Sequence, residues 1–182
     1  MKLDPAFGYL IVAGVALLLA AAGVHKLRNL SLFTEVFAAY RVLPDAWARR
    51  SAAIIPCIEI AMAASLLWQP TRAWAAAAAM GLLIAYAAAL GSNLIRGRRE
   101  LDCGCGMSGN RRAIAAWMVW RNLFVALALG IAVLPWAARP LNAADLLTVM
   151  GGLAAAAALY AAIDQLLGEV APKALRLRGR PA

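Results

Sequence analysis

Two cysteines separated by a single glycine, Cys103 and Cys105, are the residues of this chain best suited to chemistry. They lie in a short loop between two long apolar segments. A disulfide between them would enclose almost no chain and would remove little entropy from the unfolded state. Its small, tight ring would also be easy to reduce. The spacing therefore predicts a pair that cycles between dithiol and disulfide, with a purely structural pair as the alternative.

The charges around this pair favour its reactive form. The thiolate is the nucleophilic species, and nearby cations stabilise it. The flanking loop carries five arginines and two acids: Arg96, Arg98, Arg99, Arg111, Arg112, Glu100 and Asp102. Zinc is a competing interpretation, because Cys57, Cys103, Cys105 and His25 could supply four ligands. No standard zinc-finger spacing supports it, so we predict no metal.

The composition predicts an all-α integral membrane protein. Of 182 residues, 64% are hydrophobic and 15% are charged, and the mean hydropathy is +0.74. Such values are typical of helical membrane proteins. We expect one domain over residues 1–182, a compact bundle of four to five transmembrane helices. The predicted spans are about 7–24, 52–68, 73–95, 113–134 and 143–167. The first could be mistaken for a signal peptide, but its weakly basic start favours a retained helix.

The basic residues predict an orientation in the membrane rather than a nucleic-acid partner. With five spans, 14 of the 18 lysines and arginines fall on one side, three fall on the other, and Arg121 lies inside a span. Basic residues in short loops mark the cytoplasmic side. We therefore expect a multi-pass protein of the bacterial inner (cell) membrane, with its N-terminus outside and the cysteine loop and C-terminus in the cytoplasm. The basic excess would contact anionic lipid head groups.

Helical periodicity predicts a further short helix after the first span. Leu30, Phe33, Phe37 and Tyr40 form one apolar stripe that is too short to span a bilayer. This interfacial helix is either an amphipathic connector or a lid over the thiols. The third and fifth spans are rich in alanine and glycine, which let helix backbones approach closely, and we expect both in the bundle interior.

Polar residues inside the spans predict a buried site on the cysteine side. Glu59 and Arg121 enter their spans to about the same depth, roughly 10–12 Å, so we expect them to form an ion pair. The pair either fixes helix register or handles protons beside the thiols. Cys57 is either a resolving thiol or a small buried hydrophobic residue. The same half of the bundle also contains His25, Asn93 and Asn122.

The order of these features resembles the MauE family of methylamine utilisation proteins, within the broader MauE/DoxX-like redox-associated membrane proteins. The resemblance covers about residues 7–135. The matching segments are Gly23-Val24-His25-Lys26-Leu27, Tyr40-Arg41-Val42-Leu43-Pro44, Pro56-Cys57-Ile58-Glu59, Asn93-Leu94-Ile95-Arg96-Gly97, Asp102-Cys103-Gly104-Cys105 and Trp120-Arg121-Asn122.

The resemblance implies a role in maturing the β subunit of methylamine dehydrogenase, a disulfide-rich periplasmic protein, together with a thioredoxin-like partner. By a fold-level analogy the bundle also resembles vitamin K epoxide reductase, which implies a quinone as the cofactor. A periplasmic client conflicts with cysteines on the cytoplasmic side, so the loop either collects electrons from a cytoplasmic donor or lies on the other face. A non-catalytic scaffold that docks the thioredoxin-like partner and a quinone-linked electron carrier are the alternative functions.

Overall fold

Helices make up nearly all of the computed structural model, which describes residues 2–102 and 113–178. A single turn of 3-10 helix at Gln69–Thr71 precedes the fifth α-helix. In chain order the helices are α1 (Pro5–Arg28), α2 (Leu30–Ala39), α3 (Asp45–Ser51), α4 (Ile54–Leu67), α5 (Arg72–Ile95), α6 (Ala116–Ala132) and α7 (Ala143–Arg178). The extended pairings in the described ranges are two single-residue bridges, Leu3 with Trp136 and Asp102 with Ala113.

The lengths of these helices confirm a multi-pass, all-α membrane protein. Three segments of the described chain are long and apolar enough to cross a bilayer: Pro5–Arg28, Gln69–Ile95 and Ala143–Ile163. Counting α3 and α4 as one span broken by a 42° bend gives a fourth. α6 has 17 residues and reaches about 25 Å, short of the roughly 30 Å of hydrocarbon in a bilayer.

Two predicted spans are longer than the helices that form them. The segment predicted at 52–68 contains α4, which begins at Ile54 after the bend. The segment predicted at 113–134 contains α6, which begins only at Ala116. Ala113 is held in its bridge to Asp102, and Ala115 is extended at φ −138° and ψ 154°, so the helix cannot begin earlier. Hydropathy alone does not detect either interruption, because the residues involved are apolar.

The two small-residue helices have different environments. α5 packs against α4 and α6, and its alanines at 75, 76, 79 and 87 are buried, as predicted. α7 packs mainly against α1, and no residue in its most apolar window is buried within the bundle. The prediction that α7 lies in the interior was wrong. Small residues permit close packing but do not supply a neighbouring helix to pack against.

A cluster of charged residues fastens one end of the bundle. Arg139, which lies between α6 and α7, donates hydrogen bonds to the carboxylates of Asp4 and Asp145 at 2.6–3.1 Å. The Asp145 and Asp4 carboxylates raise the pKa of Arg139 above its ordinary value. Asp4 also caps α1 by accepting a hydrogen bond from the backbone N–H of Ala6. The ends of α1, α6 and α7 are therefore tied together.

Close contact between α1 and α4 determines the geometry of the opposite end. Gly23 of α1 faces α4 so closely that an added Cβ would lie 2.8 Å from Ile60 Cγ1 and 2.9 Å from the carbonyl oxygen of Pro56. Only glycine fits at this separation, because the second contact is with backbone that cannot rotate away. Three residues further along α1, this approach brings Lys26 against α4.

Replacing Gly23 tests whether this contact sets the spacing of the helices. We expect Gly23→Ala to destabilise the protein by about 1–3 kcal/mol, because the methyl group forces α1 and α4 apart. Thermal unfolding in detergent, followed by circular dichroism, measures the effect. Gly81→Ala in α5 is the matched control, since an added Cβ there meets nothing within 4 Å. Equal melting temperatures for the two variants would contradict the prediction.

Candidate functional site

Three helices bring Lys26, Glu59 and Tyr86 together in a buried hydrogen-bonded triad. Lys26 of α1 forms an ion pair with Glu59 of α4 through Oε1. The Tyr86 hydroxyl, from α5, donates to the same oxygen at 2.7 Å and accepts from Lys26 Nζ at 3.1 Å. Lys26 is 4% exposed and Glu59 is fully buried. Because each charge has its counterion, the triad is neutral overall, which makes its burial tolerable.

Among the residues that the structure describes, the second oxygen of Glu59 lacks a hydrogen-bond partner. Oε2 is buried and accepts no hydrogen bond within residues 2–102 and 113–178. Leaving a buried polar atom unsatisfied costs about 1–3 kcal/mol, and more when the group is charged. Such atoms are uncommon in native structures, and they occur where a water or a ligand supplies the missing donor. This feature favours a functional role for the triad over a purely structural one.

A mostly apolar cleft lies beside the triad. Its cavity volume is about 70 Å³, within a cleft of about 540 Å³ of empty space when the open mouth is included. Lys26 and Tyr86 contribute the charged and hydroxyl groups, and Asn122 of α6 contributes an amide. The remaining lining is Phe33, Val36, Phe37, Tyr40, Val42, Ile55, Ala89 and Leu90. A largely apolar cleft with a few converging polar groups is the usual form of a small-molecule site.

The short helix α2 forms one wall of this cleft. Of its predicted apolar stripe, Phe33 and Tyr40 are buried and Leu30 and Phe37 are half-buried; Val36, which the stripe did not include, is buried as well. The ammonium group of Lys26 lies 5.3 Å from the centroid of the Phe33 ring and 4.7 Å from that of Tyr86, and both distances are typical of cation–π contacts. α2 therefore covers the triad. The predicted lid over the thiols involves Cys103 and Cys105, which lie outside the described residues.

The predicted ion pair between Glu59 and Arg121 was wrong. Glu59 pairs with Lys26 instead. Arg121 of α6 is half-buried, donates a hydrogen bond to the Tyr160 hydroxyl of α7 at 2.9 Å, and lies 5.3 Å from the ring centroid of Trp117. The depths of the two residues agree, but counting residues along a helix does not tell which neighbour each side chain faces. Lys26 was placed in a loop because the first span was ended four residues too early, at position 24 rather than at Arg28.

Within the described residues, the side chains of Cys57 and His25 form no hydrogen bond or ion pair with the triad. Cys57 is a free, exposed thiol on α4, so its interpretation as a buried hydrophobic residue was wrong. Cys57 is close to Glu59 in sequence, two positions away. A helix turns about 200° over two positions, so the two side chains point to opposite faces of α4. His25 is half-buried, and its backbone carbonyl accepts a hydrogen bond from the Asn29 amide at 3.2 Å.

Asn93 holds the cleft together at the end of α5. Its buried amide donates to the backbone carbonyl of Tyr40 at 3.2 Å, and its side-chain oxygen accepts a hydrogen bond from Arg98 at 3.0 Å. The first bond fixes the turn after α2, where Arg41 adopts a φ of 50°. Asn93 is thus a positioning residue for the α2 wall, whereas Asn122 faces the cleft itself.

Cys103 and Cys105 lie outside the described residues, but both ends of their segment are described. Asp102 and Ala113 form a bridge, and the backbone N–H of Ile114 donates to the carbonyl of Leu101 at 2.9 Å. The residues around this bridge pack into one cluster with the wall of the cleft: Val36, Tyr40, Leu90, Leu101, Ile114 and Met118. Leu101 and Ile114, the described residues close to the two ends of the cysteine segment, therefore lie beside the wall of the cleft.

Two site residues, Lys26 and Tyr86, were missed from the sequence. Lys26 lay within a recognised segment, Gly23–Leu27, and a lysine one turn after a packed glycine could have indicated a buried role. Tyr86 is the single hydroxyl-bearing residue between Ala73 and Leu90, a stretch dominated by alanine. A lone tyrosine in such a helix is a usable signal, because its hydroxyl needs a partner in the membrane.

Comparisons with known proteins find similarity to one family. The sequence model of the family described as "Methylamine utilisation protein MauE" matches residues 4–137. The chain is 37% identical over 180 residues to the methylamine utilization protein MauE of Paracoccus versutus, covering 97% of each chain. It is 44% identical over 119 residues to the protein of that name from Paracoccus denitrificans, covering 65% of this chain and 64% of that one, slightly less than two thirds.

A more distant relative also aligns over most of its length. The chain is 31% identical over 172 residues to the methylamine utilization protein MauE of Methylophilus methylotrophus, covering 93% of this chain and 90% of the relative. No solved structure matches this chain.

A double-mutant cycle tests the triad. We expect Lys26→Met and Glu59→Gln each to cost about 3–5 kcal/mol of stability, because each leaves one buried charge without its counterion. The combined variant leaves neither charge and should recover most of that loss. Unfolding in detergent measures all three, and Glu35→Gln at an exposed position of α2 is the control. Additive costs in the combined variant would show that the two charges do not interact.

Proposed function

Because the chain belongs to the MauE family of methylamine utilisation proteins, we propose that it is a membrane factor for the thiol–disulfide-linked maturation of a partner protein. The proposed client is the β subunit of methylamine dehydrogenase, and the proposed redox partner is a thioredoxin-like protein of the same system. In this proposal Cys103 and Cys105 cycle between dithiol and disulfide, and the buried triad supplies the polar site of the bundle.

One observation carries this proposal: the described residues on either side of the cysteine segment are joined to each other beside the polar cleft. The Asp102–Ala113 bridge and the Leu101–Ile114 hydrogen bond fasten the two ends of the segment to the helices that line the cleft. A reactive pair needs such anchoring, because thiol exchange requires the sulfurs to meet an incoming partner in a defined position. Asn93 and the α2 wall supply the supporting contacts.

Replacing each cysteine of the pair tests the proposed chemistry. We expect Cys103→Ser and Cys105→Ser each to cause accumulation of β subunit with missing or incorrect disulfides, because a single remaining thiol cannot form the internal bond. Non-reducing electrophoresis of the client from cells that carry each variant measures this. Thr148→Ser, at an exposed position of α7, is the control, and Cys57→Ser tests whether the third thiol, on the face of α4 opposite Glu59, acts as a resolving thiol. Normal client maturation in a cysteine-free variant would favour a non-catalytic scaffold instead.

Labelling from each side of the membrane tests the proposed orientation. The proposal places the cysteine segment and the C-terminus in the cytoplasm, as the distribution of basic residues predicts. In inverted vesicles, a membrane-impermeant maleimide should label Cys105 in a variant that carries Cys57→Ser and Cys103→Ser. The same reagent should leave Cys105 unlabelled in intact spheroplasts. The reverse pattern would place the pair on the periplasmic face, directly accessible to a periplasmic client.

A further inference from the structure

The cleft beside the triad extends from the arginine-rich end of the bundle toward its interior. Tyr40 and Val42, which line it, stand on either side of Arg41 in the turn after α2. Tyr86 also lines it and precedes the end of α5 by nine residues, or roughly 14 Å along the helix axis. Each head-group region of a bilayer is only about 5–8 Å thick. The cleft therefore reaches from the level of the head groups into the hydrocarbon.

Positive charge predominates around the outer end of this cleft. Positions 28–50, from the last residue of α1 to α3, and positions 96–102, after α5, contain seven arginines and four acids. The arginines are Arg28, Arg41, Arg49, Arg50, Arg96, Arg98 and Arg99, and the acids are Glu35, Asp45, Glu100 and Asp102. An anionic group is attracted to such an excess of basic residues at a membrane surface.

Asn93 ties two of these arginines to the wall of the cleft. Arg98 Nη1 donates to Asn93 Oδ1 at 3.0 Å, and the Asn93 amide donates to the carbonyl of Tyr40, the residue before Arg41. Gly97, with a φ of 75°, turns the chain back so that the backbone N–H of Arg98 also reaches the Asn93 carbonyl at 3.0 Å. Within the described residues, the other guanidinium N–H groups of Arg98 and those of Arg41 donate no hydrogen bond. Such planar, forked donors match the oxygens of a phosphate.

Two further donors lie deeper in the cleft. The ammonium group of Lys26 has three N–H donors, and two of them are directed to Glu59 Oε1 and the Tyr86 hydroxyl. The third has no partner in the part of the chain that the structure describes, and Lys26 lines the cleft. The amide of Asn122 also faces the cleft. Because Lys26 and Glu59 neutralise each other, these donors suit an uncharged acceptor such as an ester carbonyl.

The rest of the cleft suits a linear apolar chain. Its lining is mostly aliphatic and aromatic. The enclosed cavity of about 70 Å³ is smaller than the roughly 150 Å³ cavity that holds a benzene molecule, so a ring cannot be buried there completely. An extended hydrocarbon chain is narrower than a ring and can enter lengthwise. The wider cleft of about 540 Å³ holds the remainder of the ligand.

We propose that this cleft is a specific site for one anionic phospholipid. The phosphate lies against Arg41 and Arg98, an ester carbonyl accepts hydrogen bonds from Lys26 and Asn122, and one acyl chain lies along the apolar wall. Phosphate, ester and chain follow each other in the lipid in the order in which the matching groups follow each other into the cleft. A zwitterionic head group fits less well, because its ammonium group would face the arginine excess. The site does not depend on the cysteines or on the proposed function.

Native mass spectrometry of the purified full-length protein in detergent, titrated with phosphatidylglycerol, tests the site. We expect one lipid to bind saturably, at least fivefold more tightly than phosphatidylcholine. Ala89→Phe should lower the affinity at least tenfold, because the added ring fills the cleft that Ala89 lines. Ala88→Phe is the matched control, since Ala88 is exposed on the neighbouring face of α5 and should leave the affinity unchanged.

Replacing Arg41 separates lipid binding from folding. Arg41 adopts a φ of 50°, which asparagine tolerates better than arginine, so Arg41→Asn should not lower the melting temperature of the lipid-free protein. The same change should lower the affinity for phosphatidylglycerol about fivefold, equal to about 1 kcal/mol, by removing one cation from the phosphate. Arg50→Asn is the charge-matched control, because no residue of α3 lines the cleft.

Four results would each overturn the proposal: equal affinities for phosphatidylglycerol and phosphatidylcholine, equal affinities of Ala89→Phe and Ala88→Phe, equal affinities of Arg41→Asn and Arg50→Asn, or displacement of the lipid by an equal concentration of glycerol phosphate. The last would show a site for phosphate alone. Circular dichroism establishes that each variant is folded. If Ala89→Phe does not fold, phosphatidylglycerol with six-carbon chains replaces it as the test of the chain site, and equal binding of the short-chain lipid would contradict the proposal. A cysteine-free variant should bind the lipid normally.

Discussion

The buried ion pair between Lys26 and Glu59 is the interaction on which the rest of this structure depends. It forms because Gly23 lets α1 approach the backbone of α4, which brings the lysine within reach of the carboxylate. Tyr86 then adds α5 to the same junction. Either charge alone in hydrocarbon would be costly, so the pair constrains the rotation of two helices about their axes. The shape of the adjacent cleft follows from that constraint.

Hydropathy and residue spacing predicted the helices better than they predicted the neighbours of each helix. The spans, the amphipathic α2 and the burial of α5 follow from composition and period, which are local properties of the chain. The environment of α7 does not follow, because it depends on which surfaces the other helices leave available. The late start of α6 was missed for a related reason. Ala113 is held in a bridge to Asp102, so the helix begins only at Ala116, and no polar residue marks this break in the sequence.

In the candidate site, too, the sequence predicted how deep each polar side chain lies in the membrane but not which neighbour it faces. Counting residues placed Glu59 and Arg121 at similar depths, and a buried charge correctly indicated a counterion nearby. The identity of that counterion depends on which helix faces α4, and this is set by the contact at Gly23. Asn93 and Asn122 were recognised as polar residues of the same region, yet their separate roles, in fixing the turn after α2 and in lining the cleft, required the packed structure.

The Arg139 end of the bundle and the α2 wall, which lies beside the Lys26–Glu59 pair, are held by different physical forces. At one end Arg139 joins α1 and α7 through several short charge-assisted hydrogen bonds. At the other, the wall formed by α2 is held mainly by apolar contacts and the amide of Asn93. Apolar contacts are non-directional and tolerate sliding, whereas bidentate guanidinium pairs do not. We therefore expect α2 to separate from the bundle more readily than the helix ends that Arg139 joins.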